Sequence, residues 1–396
     1  MPKKKKKKSW KENQQERQIK QRNAQAAYEI QKKKLAKRKP RQWPKGKIVL
    51  VIFMIAIILG VYAIWQYTTE PITQIPLTFI YIRADGSVDP SNASISNVDN
   101  SYYTFTADIY GSIVIERDNI VVDGRNYVLQ GHSTRNATGI DLSARTNVTI
   151  TNLELKNFGY GVYLYSATDN VVSQNDLRYN NYGIELDYSS NNAVYENTIT
   201  NSEGAIGLSE SEDNTITKNS LDSNTYSISV TSSSNNNISE NTITNSEGAI
   251  ALYQSDSNVI TENYLEQNMY GISLTVCSDN SISNNSAVAC SYAVAISQAS
   301  DNIIEENYLG GNNYGVQVTY SSDNILFHNS FVFNTYQVSS SDSVNVWDNG
   351  YSNGGNFWAD YQILYPDAEE VDGSGKWDTP YVIDEYNQDN YPLLNG

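Results

Sequence analysis

Residues 196–206 read ENTITNSEGAI, and residues 240–250 repeat the same letters in the same order. The offset is two steps of a 22-residue period that is strict from Asn170 onward, inside a repetitive stretch running from Asn147 to Ser343. Asn170, Asn192, Asn214, Asn236, Asn258, Asn280, Asn302 and Asn324 form one column of that period. Asn175, Asn197, Asn219, Asn241, Asn263, Asn285, Asn307 and Asn329 form a second, five residues later. Aliphatic columns run between them, among them Ile184, Ile206, Ile228, Ile250, Ile272 and Val294. A fixed period of this length belongs to a solenoid, in which each repeat buries its apolar face only against its neighbours. Alternation within each repeat has period two, so the units are short strands. Joined by Asn, Gly, Ser and Asp corners, they predict an all-β, single-stranded parallel β-helix. Coil starts at Asn119, Asn147 and the eight strict repeats give ten coils, roughly 48 Å of stack at strand spacing. An inward Asn at a corner can bond the Asn above it and the corner backbone, so no buried amide is orphaned. The coil from Asn147 is read with one extra residue after Asn152, which puts Asn147 at the foot of the inward column.

Charge divides the chain. Residues 1–47 carry 19 Lys and Arg against Glu12, Glu16 and Glu29; the rest of the chain carries the other 9 of 28 basic residues and 41 of 44 acidic ones. Such an acidic segment excludes nucleic-acid binding there, since phosphate contacts need clustered cations. Between the two parts, Ile48–Trp65 is apolar and uncharged, and with Tyr67 it is long enough to cross a bilayer. Lys45 and Lys47 flank one end, and Tyr62, Trp65 and Tyr67 mark the other. The expected organisation is a basic cytoplasmic tail over 1–47, a transmembrane signal anchor over 48–67 and a stalk over 68–76. An N-terminal cap (77–118), the β-helix (119–343) and an aromatic-rich C-terminal cap (344–396) then lie outside the cell membrane.

The chemistry must come from few residue types. His132 and His328 are the only histidines and sit at opposite ends of the stack, so no Ser-His-Asp or zinc-type arrangement arises. Cys277 and Cys290 occupy small-residue and Asn columns and read as buried thiols. Carboxylates remain. Asp141, Tyr163 and Glu185 fall in one outward column, with Tyr165 and Asp187 in the next; Asp141 and Glu185 would stand about 10 Å apart, Glu185 and Asp187 roughly 7 Å. An acid and a base at such separations flank a sugar in glycosidases, and tyrosines line the cleft. Asp141, Glu185 and Asp187 are therefore the catalytic candidates, and Tyr163 and Tyr165 the ligand-binding ones; the alternative is a solvated acidic face. No organic cofactor is implied. Calcium could sit on Asp367–Asp378 (DAEEVDGSGKWD), which lacks the ligand spacing of an EF-hand. Sequons at Asn92, Asn136, Asn147, Asn237 and Asn284 allow glycosylation, Asn147 being the least suited if it is inward.

NIVVDG at Asn119–Gly124, the Tyr-Gly-Ile triplets at Tyr182–Ile184 and Tyr270–Ile272, and TPYVIDEYNQDNYP at Thr379–Pro392 resemble one known group. It is the right-handed parallel β-helix repeat proteins of the NosD-like, carbohydrate-binding and sugar-hydrolase type, nearest to archaeal surface proteins. The resemblance covers residues 77–396 and implies a right-handed helix. It also implies copper delivery to nitrous oxide reductase, although this chain lacks a cluster of copper ligands. Three readings stay open: a membrane-anchored, glycan-binding or envelope protein without catalysis; a glycoside hydrolase or lyase; and a copper-maturation accessory.

Overall fold

The structure is a computed structural model that describes residues 78–132 and 137–395. The tail, anchor and stalk expected over residues 1–76, and the sequon at Asn136, lie outside the described residues. Among those described, no helix is long and apolar enough to cross a membrane.

Each coil turns through three strands. In one of them these are Ala193–Tyr195, Thr198–Thr200 and Gly204–Ser209, and each pairs in parallel with the strand 22 residues on, in three separate ladders. The chain turns because four residues per coil adopt a left-handed backbone, here Tyr188, Asn191, Glu196 and Asn201, with φ of 51°, 58°, 55° and 54°. Each is followed by an inward residue: Ser189, Asn192, Asn197 and Ser202 are all buried. The bend interrupts the strand alternation and aims the next side chain inside. Asn, Asp and Ser recur at these positions because short polar side chains tolerate that conformation best.

The inward Asn columns form the expected ladders. Asn241 Oδ1 accepts from Asn219 N (3.0 Å) and Nδ2 (3.0 Å), while Asn241 Nδ2 donates to Asn263 Oδ1 (3.0 Å) and to Ile216 O (2.9 Å). Between them the aliphatic columns, such as Ile184, Ile206, Ile228 and Ile250, are wholly buried and form one continuous core.

The structure corrects the expected register at the start of the stack. Thr149 pairs with Val171 and Ile150 with Val172, so the period is already 22 here and Val148, not Asn147, holds the inward position. Asn147 and Asn152 are the left-handed residues one place earlier (φ 55° and 53°), equivalent to Asp169 and Gln174. Both kinds of position favour Asn, which is why the columns were one residue out. Asn147 is exposed, so its sequon is as accessible as those at Asn92, Asn237 and Asn284.

The coil number also rises. Residues expected to form only an N-terminal cap supply a further coil from Tyr102–Phe105 and Ile109–Ile115, giving eleven in all. Thr78–Ile82 pairs in parallel with Ile109–Ile115 and so extends the third ladder instead of covering its end. At the other end Trp358 stacks between Phe331 (4.2 Å) and Tyr381 (4.0 Å), closing the core with rings.

Candidate functional site: a glycine-floored trough

From Tyr160–Tyr165 to Tyr314–Thr319 the third strand of each coil is six residues long, with its first, fourth and sixth side chains in the outward columns and the others buried. Three outward columns follow from the register. Tyr182, Glu185 and Asp187 stand beside Gly204, Gly207 and Ser209, and these beside Tyr226, Ser229 and Thr231. Strand Gly204–Ser209 therefore presents no side chain at two of its three outward places. It floors a trough between the tyrosine-and-acid strand before it and the hydroxyl-bearing strand after it. The enclosed volume is about 320 Å³, bounded by Tyr182, Glu185, Gly204, Gly207, Tyr226 and Ser229.

The glycines leave room that their neighbours fill. A Cβ on Gly207 would lie 2.1 Å from Glu185 Oε2, and one on Gly204 would lie 2.7 Å from Tyr182 Cδ1. Glu185 thus lies across Gly207 with its carboxyl on the trough floor. Its Oε2 is sealed from solvent and has no hydrogen-bond partner. Burial, with the nearby Asp187 charge adding to it, pushes Glu185 up to about 8, so it is a neutral acid at physiological pH.

Asp187 accepts a hydrogen bond from Tyr163 Oη at 2.8 Å. Burial, then that bond, pushes the Tyr163 phenol up. Tyr163 in turn packs against Tyr160 (4.9 Å) and Tyr165 (6.4 Å), and Tyr165 meets Tyr188 edge-on at 5.7 Å. Four of the five residues singled out in the sequence (Glu185, Asp187, Tyr163 and Tyr165) thus form one patch. Asp141 keeps its expected place in the column, two coils from Glu185. Tyr163 stands between them in register, and Asp141 Oδ1 is taken up by Ser143 N (2.9 Å) and Ser143 Oγ (2.5 Å).

Sequence reasoning missed Tyr182, Gly204, Gly207 and Tyr226. A signal existed in the column Tyr160, Tyr182, Gly204, Tyr226, Gly248, Tyr270, Tyr292, Tyr314, Tyr336, in which two glycines interrupt a run of tyrosines. Where the run is unbroken the rings stack, at 5.0 Å for Tyr270–Tyr292, Tyr292–Tyr314 and Tyr314–Tyr336.

Metal-binding groups are dispersed. Among the described residues no three His, Cys, Asp or Glu side chains come together as a metal site, the Asp367–Asp378 segment included. His132 and His328 are nine coils apart, roughly 40 Å. Cys277 and Cys290 are buried in different corner columns, where Cys277 Sγ donates to Thr275 O. Copper needs clustered His, Cys or Met, and this donor set does not fit it.

The family model of the periplasmic copper-binding protein NosD matches residues 88–286 and 198–363. No curated protein matches the chain. Several solved structures resemble it. A periplasmic alginate epimerase, AlgG, is 15% identical with a TM-score of 0.50, covering 66% of this chain and 76% of that one. A hyperthermoactive exopolygalacturonase from Thermotoga maritima is 12% identical with a TM-score of 0.48, covering 62% and 82%. The A-module of a mannuronan C-5 epimerase from Azotobacter vinelandii is 14% identical with a TM-score of 0.47, covering 68% and 89%. At such identities the likeness is one of fold.

Proposed function

The chain belongs to the family of the periplasmic copper-binding protein NosD, and from that premise we propose that it uses the family's β-helix to bind a saccharide in the glycine-floored trough. The observation that carries this reading is Glu185 Oε2, a buried polar atom without a partner on the floor of an open trough. Such atoms are rare in folded proteins and costly, about 1–3 kcal/mol. A sugar hydroxyl in the trough would satisfy it once the carboxyl turns up from Gly207, and the face of Tyr226 towards Gly204 offers the apolar contact that a pyranose ring takes up. The apolar stretch 48–67 would hold the protein in the membrane with the β-helix on the outer side, next to envelope glycans.

The test is retention of the full-length chain, in mild detergent, on immobilised polysaccharides. Wild type should be retained by at least one, and Tyr226→Ala should weaken that retention by about tenfold, some 1.4 kcal/mol. Retention by none, or retention indifferent to Tyr226, overturns the reading.

One observation favours turnover as well as binding. Glu185 is held protonated near neutral pH, as a general acid must be. Asp187 is two residues on along the same face, its backbone roughly 7 Å away, and is the second carboxylate such an acid works with in glycosidases. On this reading Glu185→Gln stops release of reducing ends while leaving retention in place. Release that survives Glu185→Gln would sink it.

A further inference from the structure

We infer that the trough is the closed end of an uncharged furrow along the helix axis, shaped for a neutral polysaccharide chain and selective against polyuronates. The inference rests on the saccharide reading above and names its ligand class.

Beyond Gly207 the middle outward column continues as Ser229, Ala251, Ser273 and Ala295, each in register with the last. Small side chains over these coils leave a shallow furrow that begins at Glu185 and ends where Gln317 follows Ala295. Five coil steps separate Glu185 from Ala295, roughly 24 Å, enough for several sugar rings. One wall is the tyrosine column. The other is Ser209, Thr231, Tyr253, Thr275, Ser297 and Thr319, a row of hydroxyls. Along the tyrosine wall, stacked rings turn their faces to one another and show the furrow only edges. Tyr226 is different. It lies between Gly204 and Gly248, and among the described residues no aromatic ring stacks on it. At 47% exposure, with its ring leaning over Gly248, it offers the face turned towards Gly204, which makes it the centre of the binding site.

Charge decides the class of chain. From Gly204 to Thr319 the three outward columns contain no ionisable group except tyrosine. Glu203, Glu210 and Glu247 stand at the corners beside them, all acidic. Between residues 179 and 375 the sequence has one cation, Lys218, and its Nζ lies 3.6 Å from Glu240 Oε2. Arg178, Lys156 and Arg145 are likewise paired, with Asp176, Glu154 and Asp118. A polyuronate brings a carboxylate on every ring into this field and meets no counter-charge. The repulsion from the corner acids adds to the lost hydration of each carboxylate, and nothing in the furrow offsets either. A neutral chain pays none of it, and its hydroxyls match the Ser and Thr wall and the un-ionised Glu185.

The experiment is calorimetric titration of the full-length chain with oligosaccharides of matched length, at physiological salt and with EDTA present. The neutral probes are cellohexaose and mannohexaose, with their trisaccharides; the charged probes are hexagalacturonate and hexamannuronate. A neutral hexasaccharide should bind about tenfold or more tighter than its trisaccharide and than either uronate. Ala251→Lys, in the middle of the furrow floor, should weaken the neutral hexasaccharide about tenfold. A uronate that displaces the bound neutral hexasaccharide as well as or better than a second neutral probe overturns the class, while the saccharide reading stands; displacement is the readout because residues 1–47 carry 19 Lys and Arg of their own. Affinity that stops rising at the trisaccharide overturns the furrow. No binding by any probe removes the saccharide reading and this inference with it. The class and length comparisons use wild type alone, so they hold even if Ala251→Lys folds poorly.

Discussion

At the scale of single residues, the fold depends on pairs: a left-handed residue followed by an inward polar one. Asn suits both places, for different reasons. At the first its short side chain tolerates positive φ, and at the second its amide completes a ladder. That double use limits what the letters can say. From Asn170 onward the inward columns were legible because Asn recurs there in each coil. At Asn147 and Asn152 the same letter marks the preceding position, and Val148 and Leu153 fill the buried one. The two roles separate experimentally in one coil. Asn241 is 1% exposed and shares five hydrogen bonds with Asn219, Asn263 and Ile216, whereas Asn237 is exposed. Asn241→Leu strands several buried donors and acceptors at about 1–3 kcal/mol each, and Asn237→Leu strands none. Thermal unfolding should show Asn241→Leu losing several times more stability. Equal losses would contradict the ladder.

At the scale of the strand, the trough was hidden for the opposite reason. Its carboxylate and phenol wall was legible as outward columns, since alternation alone assigns Glu185, Asp187, Tyr163 and Tyr165 to one face. The floor is made of missing side chains: the 22-residue period already sets Gly207 after Glu185 in the outward column, and what the letters do not show is that the acid folds over it and is covered. Covering has a measurable consequence. Glu185 has its folded value near 8, above the ordinary 4.5, so the folded chain holds a proton that the unfolded chain releases across that window. The sign follows. Its contribution to stability is complete below about 4.5 and is lost as pH rises through 8, by up to about 1.4 kcal/mol per pH unit within the window. Glu185→Gln keeps the shape and removes the proton. Between pH 5 and pH 8.5 the melting temperature of wild type should therefore fall relative to the variant. Parallel curves, or a wild type that gains on the variant, would mean that Glu185 is ionised in the fold.

At the scale of the molecule, a stack of like coils has two ends, and each ladder must stop somewhere. At the C-terminal end the Asn columns pass to residues outside the repeat and then to carboxylates. Asn324 Nδ2 donates to Asn345 Oδ1 (2.8 Å), Asn345 N to Asn387 Oδ1 (2.9 Å), and Asn387 Nδ2 to Asp384 (2.9 Å). The second column runs from Asn329 to Asn356, whose N–H donates to Asp389 Oδ2 at 2.7 Å; Trp358 Nε1 donates to the same oxygen at 2.9 Å. A carboxyl is a fitting terminus because its oxygens accept; Asp384 is held below the ordinary carboxylate range, its burial outweighed by its bonds, chiefly those to Asn387, while burial pushes Asp389 up to about 7. The sequence showed an aromatic, Asp-rich tail after Ser343, but nothing in it paired Asp389 with the ladder, because that contact joins residues 33 apart with no period between them. Trp358 links the two halves of this closure, with its rings on Phe331 and Tyr381 and its N–H on Asp389. Trp358→Ala should cost about 3–5 kcal/mol, as large core truncations do. It should also uncover the last coil, whose free strand edges then pair with those of another chain. Sedimentation should show concentration-dependent association of Trp358→Ala under conditions in which wild type keeps a constant mass. Phe333→Ala is the control, since Phe333 is 84% exposed one strand away, and its loss should stay within about 0.5 kcal/mol without association. If Trp358→Ala melts like the control and keeps the mass of wild type, the rings do not close the stack, and the end of the β-helix must be protected by the ladder carboxylates alone.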